Sequence, residues 1–196
     1  MNEAIRKLRE EHRSISAVLQ GLQALVREAR KPGARPDFAV LRAMIYYIDA
    51  FPERLHHPKE DQHLFARLEM RAPEAAALLA RLRAEHLRGA TLVRELEHEL
   101  LALEENWPAG VERFAAAVDA YAEFHWEHMR SEEHELLPLA ERALTAQDWE
   151  AIGAAFAGNA DPLAGLREQD FAQLYSRIAN LAPAPVGLGE PWRKAR

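Results

Sequence analysis

Apolar residues recur at steps of three and four positions through most of the chain. Two such series are Leu8, Ile15, Leu19 and Leu22, and Leu78, Leu82, Val93 and Leu96. This spacing places apolar side chains along one face of an α-helix. The alternation that is typical of half-buried strands is nearly absent. The pattern therefore predicts an all-α fold.

Three groups of helix-breaking residues divide residues 1–145 into four long helical segments. These groups are Lys31-Pro32-Gly33, Arg71-Ala72-Pro73 and Asn106-Trp107-Pro108-Ala109-Gly110. Proline and glycine interrupt helices, and short connections favour antiparallel neighbours. We therefore predict that residues 1–145 form an up-down antiparallel four-helix bundle.

A different organisation is predicted after the bundle. Thr145 and Asp148 have the spacing of a capping pair for a short helix through about Phe156. A further helical stretch is predicted near Glu168 to Leu181, before a tail rich in proline and glycine. Residues 146–196 are thus predicted to be a helical extension and tail packed on the bundle.

The composition limits the metal ligands and the binding partners that we expect for this protein. The chain has no cysteine, which excludes disulfides, thiolate ligands and thiol nucleophiles, so that any metal must be bound by nitrogen and oxygen. The net charge of −6 comes from interleaved acids and bases and does not suggest a nucleic-acid partner. No apolar run has membrane-spanning length, and the first residues do not resemble a secretory signal. We expect a soluble, cytoplasmic protein that binds neither membrane nor nucleic acid.

Two degenerate copies of one pattern occupy the predicted bundle. Each copy opens with a Glu-His pair, Glu11-His12 or Glu85-His86. Each continues with a His-x-x-x-Glu motif that a second acid follows, at His56 to Asp61 and at His128 to Glu133. Nearly the same number of residues separates the Glu-His pair from the His-x-x-x-Glu motif in both copies. Each copy is therefore predicted to be one helical hairpin, related to the other by pseudo-symmetry.

The histidine and glutamate residues of this repeat fall on apolar, core-facing stripes. A buried carboxylate without a cationic partner is costly, and helical projection places no lysine or arginine at the same depth. Four imidazoles and two carboxylates can hold two divalent ions, with the carboxylates as bridges. The predicted metal ligands are His12, His56, Glu60, His86, His128 and Glu132. The alternative is a metal-free bundle with ordinary core histidines, which the repetition of the pattern disfavours.

Two further histidines lie close to these ligands in the sequence. His57 is interpreted as lying behind the ligands or at the surface, because Met129 takes its place in the second copy. His125 is interpreted either as an auxiliary metal ligand or as a residue that supports a ligand, because it lies one turn before His128. No catalytic residue is assigned.

These motifs resemble the hemerythrin-like proteins with an HHE cation-binding domain, over approximately Ile5 to Leu144. The resemblance rests on Glu11-His12, Glu85-His86, the segment from His56 to Asp61 with Leu64-Phe65, and the segment from His128 to Glu132 with Leu136-Leu137-Pro138. It implies a carboxylate-bridged di-iron centre (Fe²⁺/Fe³⁺) on the same six residues, which could carry an oxo or hydroxo bridge. Manganese and zinc also accept such ligands.

The chain departs from the oxygen-carrying members of that family at two positions. Ala90 stands four residues after His86, where the carriers have a second histidine. Glu132 stands four residues after His128, where the carriers have an aspartate five residues after. The chain is instead similar to the iron-centre repair, nitric-oxide-responsive and sensor members, although it lacks the cysteine-containing amino-terminal segment of the repair proteins.

The first functional hypothesis is a module that binds or senses dioxygen, nitric oxide or peroxide, or that handles iron. The second is an enzyme that reduces nitric oxide or peroxide or repairs iron centres, which would need a separate electron donor, since no nucleotide or flavin motif is present. The third is a purely structural metal site. The extension could cap the bundle or mediate a homodimer.

Overall fold

The computed structural model describes residues 2–158 together with Leu163, Ile178 and Asn180. The described part holds five helices and no strand. They are α1 (Glu3–Ala29), α2 (residues 38–71), α3 (Ala76–Asn106), α4 (residues 111–143) and α5 (Ala146–Gly158). The first four pack in a ring, each against its two neighbours, with short connections between them. The predicted all-α bundle is confirmed.

The helix starts follow from local chemistry. The Asn2 side chain accepts a hydrogen bond from the backbone N–H of Ala4 at 2.9 Å, which caps α1. Asp37 caps α2 in the same way through Ala39. Gly110 precedes α4 with φ of 95°, a left-handed conformation that favours glycine. The side chains of Asn2 and Asp37 thus satisfy backbone donors that a helix start leaves free.

Two of the bundle helices contain wide π-helical turns. In α2 these turns are Asp49–His56 and Glu60–Phe65, and in α4 the turn is Glu132–Leu136. Pro52 lies inside the first turn and Pro138 lies two residues after the third, and proline cannot donate the usual helical hydrogen bond. The sequence interpretation, which assumed regular α-helices, missed these turns. Two of the three begin at the glutamates predicted to be metal ligands.

Two apolar clusters fill the bundle, one on each side of a polar layer. One cluster includes Ile15, Phe51, Val93 and Tyr121, and the other includes Leu8, Leu64, Leu82 and Leu136. On each of the four helices, the predicted ligands lie between a residue of one cluster and a residue of the other. The polar layer is therefore enclosed by packed apolar side chains.

The start of the extension packs against the bundle. Ile152 and Phe156 of α5 are buried in the second apolar cluster. The backbone N–H of Asp148 donates to Thr145 Oγ1 at 3.2 Å, and the backbone N–H of Thr145 donates to Asp148 Oδ2 at 3.0 Å. The structure therefore contains the predicted capping pair.

Most of the later segment lies outside the described residues. The helix predicted near residues 168–181 and the tail after it belong to that part, apart from Ile178 and Asn180, which are both helical. Leu163 and Ile178 are buried in the first apolar cluster. Among the described residues, no helix combines the length and apolar character that crossing a membrane requires.

Candidate metal centre

The six predicted ligands meet in the polar layer between the apolar clusters. They come from all four bundle helices, and none is more than 6% exposed. Their nitrogen and oxygen atoms form two groups, each within 4.8 Å. The groups are His12, His56, Glu60 and Glu132, and Glu60, His86, His128 and Glu132. Both groups contain Glu60 and Glu132, so two adjacent ions could share these carboxylates.

Each shared carboxylate directs one oxygen toward each pair of histidines. Glu60 Oε1 lies 3.4 Å from His56 Nε2, and Glu60 Oε2 lies 3.5 Å from His86 Nε2. Glu132 Oε2 lies 3.2 Å from His12 Nε2, and Glu132 Oε1 lies 3.3 Å from His128 Nε2. Bonds of about 2.0–2.2 Å to an ion allow two ligand atoms to be up to roughly 4.4 Å apart. The separations therefore fit ligands that surround common ions.

The carboxylate oxygens at the centre lack hydrogen-bond donors. All four oxygens of Glu60 and Glu132 are buried and accept no hydrogen bond from the described residues. The Nε2 atoms of His12, His86 and His128 are also buried and have no hydrogen-bond partner among the described residues. Buried polar groups are almost always paired in folded proteins, since leaving them unpaired is costly. The donor set therefore fits a pair of bound cations.

One expectation from helical projection is wrong, because Lys59 is buried beside the centre and only 4% exposed. Its ammonium donates to Glu11 Oε1 at 2.7 Å. It makes no hydrogen bond to Glu60 or Glu132, whose oxygens accept none from the described residues. This lysine therefore does not replace the cations that the two central carboxylates require.

A second ring of carboxylates faces the outer nitrogen of each histidine. Three of them accept a hydrogen bond from Nδ1, and the fourth lies close without hydrogen-bond alignment. The pairs are Glu133 with His12 at 2.9 Å, Glu11 with His56 at 2.7 Å, Glu85 with His128 at 2.8 Å, and Asp61 with His86 at 3.2 Å. An Nδ1–H bound to a carboxylate leaves the Nε2 lone pair free for a metal. The outer carboxylates thus orient the imidazoles for metal binding.

These outer carboxylates are direct sequence neighbours of the predicted ligands. Glu11 and Glu85 precede His12 and His86 in the Glu-His pairs. Glu11 on α1 contacts His56 on α2, and Glu85 on α3 contacts His128 on α4, so each contact lies within one hairpin. Asp61 and Glu133 instead reach the opposite hairpin. The repeat contained this signal, but the sequence analysis did not assign it a role.

The comparison with protein families agrees with this geometry. The model of the hemerythrin HHE cation binding domain matches residues 3–140, which include all six predicted ligands. The chain belongs to this family. Among curated proteins, no sequence matches the chain. The HHE domain ends before α5, so the extension lies outside the matched region.

Burial and charge shift the protonation of the HHE centre. Burial and the neighbouring carboxylate of Glu132 hold the pKa of Glu60 well above its usual range. Burial alone would raise the pKa of Glu132, but the imidazole of His128 and its neighbours hold it well below the usual range. Burial would lower the pKa of His128, but Glu132 and Glu85 raise it to about 10. Without metal, the centre therefore holds protons that a bound cation must displace.

A second buried polar cluster adjoins the HHE centre. It consists of Glu53, His57, Tyr121 and His125. The Glu53 carboxylate lies 3.2 Å from His57 Nδ1, 3.3 Å from His125 Nε2 and 3.1 Å from the Tyr121 hydroxyl. Burial raises the pKa of Glu53 to about 7. The sequence analysis gave Glu53 no role.

The two additional histidines take different places in this cluster. His57 is buried, so a surface position is wrong. Its ring stacks on the His86 ring, with 4.2 Å between the ring centres and 10° between the ring planes. One nitrogen of His57 lies within 4.8 Å of one nitrogen each of His86 and His128. His57 thus packs on the face of the His86 ring and would hold that ring in place, and it could also join His86 and His128 in binding an ion. His125 directs Nε2 to the Tyr121 hydroxyl.

Proposed function

We propose that this HHE domain binds two iron ions, one at His12 and His56 and one at His86 and His128, with Glu60 and Glu132 as bridges. The observation that carries the proposal is that each central carboxylate offers one unpaired, buried oxygen to each histidine pair. Nitrogen and oxygen donors suit ferrous and ferric iron. The family match, which is to a cation-binding domain, supports the binding of metal cations by these residues.

We further propose that the centre binds or senses dioxygen or nitric oxide. The six residues give each ion two imidazole nitrogens and two carboxylate oxygens, which leaves room on an ion with more than four ligands. Two carboxylates do not neutralise two ferrous ions, so the centre favours an anionic small ligand such as peroxide. The outer carboxylates hold the imidazoles in place while such a ligand enters or leaves.

The location and the partners are also proposals. We place the protein in the cytoplasm, because iron in a cysteine-free site is compatible with a reducing compartment. A reductase or repair activity would need a separate electron donor. Cell fractionation tests the location, and turnover of nitric oxide or peroxide with an added reductant tests for an enzyme.

The experiment for the sensing role is an absorption spectrum of anaerobically iron-loaded protein, recorded before and after air and, separately, nitric oxide. We expect charge-transfer bands that appear or shift with each gas. His98→Ala serves as the control, since His98 is exposed and belongs to neither motif of the second copy. An iron-loaded protein whose spectrum does not respond to either gas would contradict sensing and leave a structural metal site.

A further inference from the structure

We propose that Lys59 makes the two metal positions unequal, so that the position at His86 and His128 binds its ion more tightly and fills first. This inference rests on the proposed two-metal centre. It also assigns a role to the extension, which covers Lys59.

Lys59 connects to the first metal position through one carboxylate. Its Nζ lies 2.7 Å from Glu11 Oε1, and Glu11 Oε2 lies 2.7 Å from His56 Nδ1. All three residues are at most 4% exposed. The ammonium shares the negative charge that Glu11 would otherwise offer to His56, which makes His56 a weaker donor to a metal. Water screens a buried positive charge poorly, so it also repels an ion bound at His56.

The second repeat lacks this arrangement. Ser131 precedes Glu132 as Lys59 precedes Glu60, so a neutral residue stands at the equivalent place. Glu85, the partner of His128, has its other oxygen 3.5 Å from an Arg81 guanidinium nitrogen. The Arg81 side chain is 45% exposed, and that of Glu85 is 22% exposed. Solvent therefore screens this cation, and Glu85 keeps more of its charge for His128.

The extension holds the lysine away from water. The ammonium of Lys59 lies 4.8 Å from the ring centre of Phe156 in α5 and 5.5 Å from that of Phe51 in α2. Aromatic faces attract a cation, and they exclude solvent from it. Phe156 lies outside the segment that the family model matches. An element added to the HHE domain thus takes part in setting the charge next to one metal position.

The test is an anaerobic titration of the metal-free full chain with ferrous ion against a competing chelator, which gives two stepwise dissociation constants. For the wild-type protein we expect the constants to differ by at least about 10-fold, the lower end of the range for changes behind a ligand. His56→Ala should keep the tighter constant, and His128→Ala should lose it. The opposite assignment would overturn the proposal.

The decisive variant is Lys59→Met, which keeps an apolar stem between the two rings and removes the charge. We expect the weaker ion to bind at least about 10-fold more tightly. Arg81→Met is the matched control in the other hairpin and should change the constants less. Phe156→Ala, which lets water reach Lys59, should act in the same direction as Lys59→Met.

A second pair of variants covers the case in which Lys59→Met does not fold, because removing one partner of a buried pair is destabilising. Glu11→Gln with Lys59→Met removes both charges of this ion pair, and it should bind the weaker ion more tightly than Glu11→Gln alone. Unchanged constants in both comparisons would overturn the role of Lys59 and leave the two-metal centre standing. A wild-type chain that binds fewer than two ions would instead overturn the two-metal centre, and this inference with it.

Discussion

Glu85 accepts a hydrogen bond from Nδ1 of His128 at 2.8 Å, on the side of the ring that faces away from the central carboxylates. Glu85→Ala removes this acceptor, so the imidazole loses its fixed tautomer and orientation. We expect metal affinity to fall by about 10–100-fold with unchanged helix content. Chelator competition and circular dichroism measure the two quantities. Glu127→Ala, an exposed neighbour of His128, is the control. Equal affinities for both variants would show that Glu85 does not support His128.

Gly89 allows the close approach of the second polar cluster to α3. A Cβ atom at this position would lie 3.0 Å from Glu53 Oε1 and 3.3 Å from His125 Cε1. Gly89→Ala should therefore lower the free energy of unfolding, because an overpacking cost of about 1–3 kcal/mol exceeds the roughly 0.5–1 kcal/mol that alanine contributes in a helix interior. Urea unfolding of the metal-free protein measures the change.

Gly153 provides the matched control for that substitution. It lies in α5, where a Cβ atom would meet nothing within 4 Å. Gly153→Ala should raise the free energy of unfolding by roughly 0.5–1 kcal/mol, because alanine favours a helix interior over glycine. If Gly89→Ala were as stabilising as Gly153→Ala, the packing of Glu53 against Gly89 would be wrong.

The helices and the six central residues could be predicted because both depend on local or repeated patterns. Apolar spacing defines helix faces, and the repeat identified which histidines and glutamates share them. The π-helical turns could not be predicted in this way, although Pro52 within a predicted helix indicates an irregular turn. The burial of Lys59 could not be predicted either, because it depends on Glu11 and Phe156, which other helices supply.

Contacts between the two hairpins could not be predicted from the sequence either. Glu53 and His125 occupy equivalent positions, three residues before His56 and His128, and they lie 3.3 Å apart. Equivalent residues meet in this way when they lie near a pseudo-symmetry axis. The repeat makes these positions equivalent, but spacing along the chain does not show which residues lie at such an axis.

Asp148 should make stability depend on pH in the acid range. Hydrogen bonds from Thr145 and Arg71 lower the pKa of Asp148 to about 2. Since the folded pKa is below the unfolded value of about 3.9, the stabilisation is present above pH 4 and is lost as the pH falls toward 2. Asp148→Asn should cost about 1 kcal/mol at neutral pH, as for a lost cap.

Unfolding curves of the wild type and Asp148→Asn between pH 5 and 3 measure this effect. The difference between the two proteins should shrink as the pH falls. A difference that stays constant over this range would contradict the charged interaction of Asp148 with Arg71 and Thr145.

Metal binding should release protons at neutral pH. The carboxylates around His128 raise its pKa to about 10, so His128 holds a proton at neutral pH in the metal-free protein, and burial raises the pKa of Glu60 as well. A ligand must lose its proton to bind metal, and the affinity should therefore increase with pH. Calorimetry in buffers with different ionisation enthalpies counts the protons. Binding without proton release would show that His128 is not a ligand.

The most direct test of the centre is the metal content of anaerobically purified protein, measured by elemental analysis on the wild type and three variants. We expect about two ions per chain in the wild type and in His98→Ala, and at least one ion fewer in His56→Ala and Glu132→Ala. This result would agree with two ions that share Glu60 and Glu132. Equal metal content in all three variants, or a wild-type chain without metal, would contradict the account.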